Sequence, residues 1–253
     1  MRVTMLGSGT STGVPVIGCT CAVCRSTDPR NRRLRPGLKI EVAGGVVLVD
    51  TPTDFREQAL RFGVPQVDAV LFTHAHADHV FGLDDLRIFN FRQRAPIACY
   101  GSASTLGALR RMFAYIFEDG QEGGGKPKLD LVEVNQAFTA AGATFEPIPV
   151  LHGDLPVLGY RSGGFAYVTD CNSIPPESMA RLRGLDVLIL DALRYRSHPT
   201  HFSIDEALAV VADLTPRRTI LTHIAHEVEH AEASARLPAG VEIGYDGLIF
   251  DVD

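Results

Sequence analysis

The stretch Thr73-His74-Ala75-His76-Ala77-Asp78-His79 puts four potential metal ligands within six residues. It begins where the apolar run 69–72 ends, so it reads as the loop leaving a buried strand. Histidine and aspartate are poor fillers for a tight apolar turn unless something satisfies their polar atoms. Ala75 and Ala77 leave room for the larger side chains to converge. Neutral imidazoles suit zinc, iron or manganese, and a carboxylate adds charge compensation. The stretch is thus part of a metal centre whose remaining ligands lie elsewhere in the chain.

Three later residues occupy the same position relative to an apolar run. His152 follows 145–151, Asp170 follows 165–169 and His223 follows 219–222. Ligand-bearing loops gather at strand ends in α/β proteins, so these are the candidates to complete the centre.

The rest of the sequence supplies the frame. Strand-like runs are expected at 3–6, 38–42, 46–49, 69–72, 97–99, 143–149, 159–161, 165–169, 187–190, 219–221, 241–243 and 248–250. Gly44-Gly45, Ser162-Gly163-Gly164 and Asp246-Gly247 read as hairpin turns between neighbouring runs. Helical patterns cover 54–62, 102–114, 176–182, 204–214 and 227–237, with Ser203 placed to cap the fourth and Glu206 as its box partner. So many hairpins argue against a simple doubly wound parallel sheet and for two mixed sheets with helices outside. No repeat or linker divides the chain, which gives one domain over 1–253. The glycine-rich stretch 118–130 (EDGQEGGGKPKLD) reads as a surface excursion.

Cys19, Cys21 and Cys24 lie within six residues, while Cys99 and Cys171 stand alone. Three thiolates need one more ligand for a tetrahedral zinc site, and His226 and His230 are the candidates. The N-terminus enters a strand without a basic start or cleavage site, so the cytoplasm is expected. No apolar run approaches the ~18 residues of a membrane span, and no membrane partner is expected. The balance of 24 Lys+Arg against 30 Asp+Glu gives −6, which disfavours a grip on long nucleic acid. The basic run 30–35 (RNRRLR) reads as solvated surface, and Ser8, Thr10 and Ser11 in the opening glycine-rich segment as pocket donors.

The signature His74-x-His76-x-Asp78-His79, with His152, Asp170 and His223 behind it, resembles the metallo-β-lactamase superfamily over nearly the whole chain. The resemblance implies an α/β fold, a four-layer αββα sandwich with the metal centre on one edge. It implies His74, His76 and His152 on one ion, Asp78, His79 and His223 on the other, and Asp170 between them. Two such ions lower the pKa of a water and neutralise charge on the transferred group, which makes a hydrolase the economical reading.

Gly18-Cys19-x-Cys21-x-x-Cys24 followed by Asn31-Arg32-Arg33-x-Arg35 narrows the resemblance to the phosphoribosyl 1,2-cyclic phosphate phosphodiesterases of the carbon–phosphorus lyase pathway. That family implies a structural zinc on Cys19, Cys21, Cys24 and His226. It also implies a histidine matching His201, in His198-Pro199-Thr200-His201, that helps the leaving oxygen depart. Arg194, Tyr195 and His198 are further pocket candidates. The implied function is a dinuclear phosphodiesterase, with zinc or manganese, opening a small cyclic phosphate or nucleotide-like phosphodiester by a metal-activated hydroxide. Its catalytic residues would be His201, Asp78 and Asp170, and a homodimer is implied. A nuclease, a thioester or lactone hydrolase, and a non-enzymatic metalloprotein of quinone-cofactor biosynthesis are the alternatives.

Overall fold

The computed structural model describes residues 1–118 and 125–252. The first sheet contains β1 (Arg2–Gly7), β2 (Gly37–Val42), β3 (Gly45–Val49), β4 (Ala69–Leu71), β5 (Ile97–Gly101) and β6 (Leu129–Glu133). The second contains β7 (Phe138–Ala140), β8 (Ala143–His152), β9 (Leu155–Ser162), β10 (Phe165–Val168), β11 (Val187–Asp191), β12 (Arg218–Thr222) and β13 (Val241–Ile243). A last strand, β14 (Ile249–Asp251), returns to the first sheet beside β1. The orders are β14-β1-β2-β3-β4-β5-β6 and β13-β12-β11-β10-β9-β8-β7.

Both sheets are buried on two faces, and alternation along single strands shows it. In β3, Val47 and Val49 face the second sheet while Val46 and Leu48 face the outer helices. In β11, Val187 and Ile189 point inward while Leu188 and Leu190 meet the opposite helical layer. A strand covered on both faces reads as a continuous apolar run, which is how these strands look in sequence. The outer layers are α1 (Phe55–Arg61), α2 (Ala77–Val80), α3 (Arg87–Gln93), α4 (Ala103–Met112) and α5 (Ala114–Phe117) on one side. On the other side lie α6 (Pro176–Arg181), α7 (Ile204–Leu214) and α8 (His230–Ser234). This is the expected αββα sandwich. The full capping box forms at Ser203 and Glu206.

The Gly44-Gly45 and Ser162–Gly164 hairpins form as expected. The Asp246-Gly247 hairpin does not. β13 pairs in parallel with β12, whereas β14 crosses to the other sheet and pairs antiparallel with β1. Asp246 anchors this crossing by accepting from Ser8 N, Ser8 Oγ and Leu34 N at 2.9, 2.8 and 2.7 Å. The last helix is also shorter than the expected 227–237, because residues 226 and 227 form a turn before α8 begins. Of the stretch 118–130, residues 119–124 lie outside the described residues, and its end enters β6. Among the described residues no helix is long and apolar enough to cross a membrane.

Candidate active site

β3 and β4 run parallel in the first sheet, and β10, β11 and β12 run parallel in the second. The chain leaving their C-terminal ends carries Asp50, His74–His79, Asp170, Asp191 and His223. Three of these turn sharply: Asp50, Asp170 and His223 have φ of 63°, 54° and 62°. Left-handed backbone at a non-glycine residue is costly, and such residues gather where a side chain must be aimed.

The side chains converge in two groups. Ligand atoms of His74, His76 and His152 lie within 4.8 Å of one another, and so do those of Asp78, His79, Asp170 and His223. Asp170 joins them: its Oδ2 is 3.1 Å from His79 Nε2 and its Oδ1 is 3.2 Å from His223 Nε2. Yet the buried Nε2 atoms of His74, His79 and His223 have no aligned hydrogen-bond partner among the described residues. Buried polar atoms are rarely left so. Ring nitrogens pointing past a carboxylate at a common space are what cations between them would satisfy, so the donor set fits a divalent pair.

The far sides of the His79, His74 and His152 rings are held. His79 Nδ1 lies 2.7 Å from Asp50 Oδ2, and Thr73 Oγ1 and N both donate to Asp50 at 2.9 Å. Thr73 Oγ1 is also 3.0 Å from His74 Nδ1. His152 Nδ1 donates to Thr200 O at 2.8 Å. Such contacts fix the tautomer and orientation of a ligating imidazole and leave Nε2 free. Burial pushes the His74 imidazole well below its ordinary pKa, which keeps its lone pair available.

His201 sits beside this centre. Its ring is 4.5 Å from that of His152, and its Nδ1 lies 3.1 Å from Asp191 Oδ2. The same oxygen accepts from Phe202 N at 3.2 Å and Cys171 N at 3.3 Å. The other Asp191 oxygen lies 3.7 Å from His223 Nδ1, so one carboxylate faces both histidines. His198 Nδ1 accepts from Thr200 N and its ring lies 5.1 Å from His201.

The cysteines form a third group. His226 Nδ1 is 3.3, 3.6 and 3.5 Å from the sulfurs of Cys19, Cys21 and Cys24. All five cysteines are free of disulfides. Cys24 N donates to Cys21 Sγ, and that bond leads in holding the Cys21 thiol down at about 6. The other candidate, His230, points elsewhere: its Nδ1 meets the buried Arg33 guanidinium at 3.3 Å.

Two expectations change. Arg33 is not solvated surface but is buried, donating to Ser8 Oγ and Gly244 O. Ser8 spends its hydroxyl on Asp246 rather than on a pocket. Of the further pocket candidates, Arg194 contacts Glu227 and the Ser197 carbonyl. Tyr195 lines a separate groove with Leu208 and Leu237. Conversely, Asp50 and Asp191 were not singled out from sequence. Each directly follows four apolar strand residues, the same signal that marked Asp170.

Residues 46–224 match a family model described as the beta-lactamase superfamily domain. A crystal structure of a diphosphatase from the PhnP family superposes with a TM-score of 0.93 and 44% identity, covering 100% of this chain and 98% of that one. A protein of Porphyromonas gingivalis named octanoyltransferase is 41% identical over 100% of this chain and 52% of its own length. This chain thus spans about half of that relative. Coenzyme PQQ synthesis protein B of Methylobacterium nodulans is 24% identical over 98% of this chain and 99% of its own.

Proposed function

The chain belongs to the metallo-β-lactamase superfamily and, within it, to the PhnP family; from that premise we propose that it hydrolyses a small phosphodiester, a cyclic phosphate or a nucleotide-like ester, at a dinuclear metal centre. His74, His76 and His152 would hold one ion and Asp78, His79 and His223 the other, with Asp170 shared. Cys19, Cys21, Cys24 and His226 would hold a structural zinc. When bound, a divalent pair supplies an acidified water and offsets charge on the phosphoryl oxygens.

The observation that carries the reading is His201. Its ring stands beside His152, and Asp191 holds its Nδ1 at 3.1 Å, so Nε2 is the atom left to face a substrate. A ribose oxygen leaves as a poor anion and needs a proton. An imidazole oriented through its other nitrogen is suited to deliver it from Nε2. Asp191 acts through His201 as a positioning residue. Asp50 and Thr73 serve the opposite ring, keeping His79 oriented while its Nε2 faces the site.

The diphosphatase described for the PhnP-family relative supports including phosphoanhydrides among the substrates. The octanoyltransferase name of the P. gingivalis relative favours a second reading, acyl-ester or thioester cleavage, although nearly half of that protein lies outside the match. One panel separates them: cyclic ribose phosphates, 2′,3′-cyclic nucleotides, a dinucleoside diphosphate, structured RNA and an octanoyl thioester. Turnover of the small phosphate esters is expected. Turnover of the thioester alone would overturn the phosphodiester reading. Asp170→Ala should remove at least one bound ion by elemental analysis and abolish turnover; full metal content in that variant would sink the ligand assignment.

A further inference from the structure

α1 and α3 lie side by side on the outer face of the first sheet, and between them runs a groove of about 340 Å³. Its floor is apolar: Phe55 and Phe89 are buried, their ring centroids 6.2 Å apart. Its rim exposes two large aliphatic side chains, Leu60 at 65% and Ile88 at 51%. The polar lining is three guanidiniums, Arg56, Arg87 and Arg92, against one carboxylate, Asp85. In a chain of net charge −6 this is a local reversal of sign.

The groove is separate from the metal centre. Phe55 and Phe89 pack with Leu48 and Val70 on the helix-facing side of the sheet, whereas the metal-site side chains leave the strand ends. Arg87 is partly occupied, since its Nη1 pairs with Asp84 at 2.9 Å. Arg92 has no ion-pair partner among the described residues, so its charge is available. The volume falls at the small end of ligand sites, about 300–1,000 Å³, and such sites combine an apolar body with a few placed charges. An uncharged apolar ligand would leave three guanidiniums facing it. A purely inorganic anion would leave the Phe55–Phe89 floor and the Leu60 and Ile88 rim unused.

We infer that the α1/α3 groove is a second ligand site that takes a small soluble anion with an apolar tail, an alkyl phosphate or a fatty carboxylate. This does not rest on the phosphodiesterase reading. The tail would lie on Phe55 and Phe89 between Leu60 and Ile88, and the head would meet Arg56 and Arg92.

The test is calorimetric titration of the intact metal-loaded protein with octyl phosphate, octanoate and inorganic phosphate, each below micelle formation. Saturable one-to-one binding of at least one amphiphile is expected, at least tenfold tighter than inorganic phosphate and weakened by added salt. The stronger of the two amphiphiles identifies the head group. Octyl phosphate can also approach the metal centre, so the deciding arms are Arg92→Glu and Ile88→Ser, both on the protein surface. Each should weaken binding at least tenfold with the circular dichroism spectrum and metal content unchanged. Unchanged affinity in both variants, or no saturable binding of either amphiphile, would overturn the inference.

Discussion

His201→Ala removes the imidazole that Asp191 holds beside His152, and its cost depends on the leaving group. A positioned proton donor contributes roughly 10²–10⁴-fold, or about 3–5 kcal/mol of barrier. That contribution matters for a ribose alkoxide and scarcely for p-nitrophenolate, which departs as an anion unaided. His201→Ala should therefore cost roughly 10²–10⁴-fold in kcat on a cyclic ribose phosphate and about tenfold or less on bis(p-nitrophenyl) phosphate. Asp191→Asn is the finer perturbation. The amide oxygen keeps Phe202 N and Cys171 N satisfied, but a charge-assisted bond to His201 becomes a neutral one. That difference is about 1–2 kcal/mol, or roughly 5–30-fold, again only on the alkoxide substrate. Provided metal content is unchanged, so that the approach of Asp191 to His223 is not the cause, the double variant should lose little more than His201→Ala alone. Steady-state kinetics on both esters, with metal content measured alongside, checks all three variants. Equal losses on the two esters, or fully additive losses in the double variant, would refute the proton-donor reasoning.

Cys24→Ala should lower the melting temperature by several degrees and remove one zinc, with a smaller effect on turnover of the metal-loaded protein; scanning calorimetry with elemental analysis checks this, and an unchanged zinc count would remove the thiolate site. Burial pushes the Asp246 carboxyl up to about 6 from 3.8, so between those values the folded state holds more protons than the unfolded one. Its contribution to stability should then fall as pH rises through that window, by up to about 3 kcal/mol. Urea unfolding of wild type and Asp246→Asn at matched pH should show the wild type losing ground to the variant between pH 4 and pH 7, and parallel curves would contradict it.

Much of the frame is legible because strands such as β3 and β11 are covered on both faces and announce themselves as unbroken apolar runs. The strands missed, β6 and β7, are short or half-exposed, with polar residues such as Asp130 and Glu133 in β6. α3 escaped because it follows α2 and a short 3-10 turn without any capping residue. The false hairpin at Asp246-Gly247 shows the limit of turn chemistry. A glycine turn marks a change of direction but not which sheet receives the next strand. The convergent histidines were readable because nothing apolar accounts for them. Asp50 and Asp191 were not, because a single acid after a strand looks the same whether it caps a loop or steadies an imidazole. Arg33 misled for a related reason. Its neighbours Arg30 and Arg32 are exposed, and only the tertiary fold brings Ser8, Gly244 and His230 around its guanidinium.

The thiolate cluster and its histidine also impose an order on synthesis. Cys24 and His226 are 202 residues apart. At about 5–20 residues per second, roughly 10–40 s pass between the appearance of the thiols and that of their partner. His223 emerges almost with His226, so neither the thiolate site nor the metal centre can close before synthesis has passed His226. Three nascent thiols meanwhile have only one another and the solvent as partners. Holding them reduced until His226 has emerged is then a condition for this cluster to take up a metal.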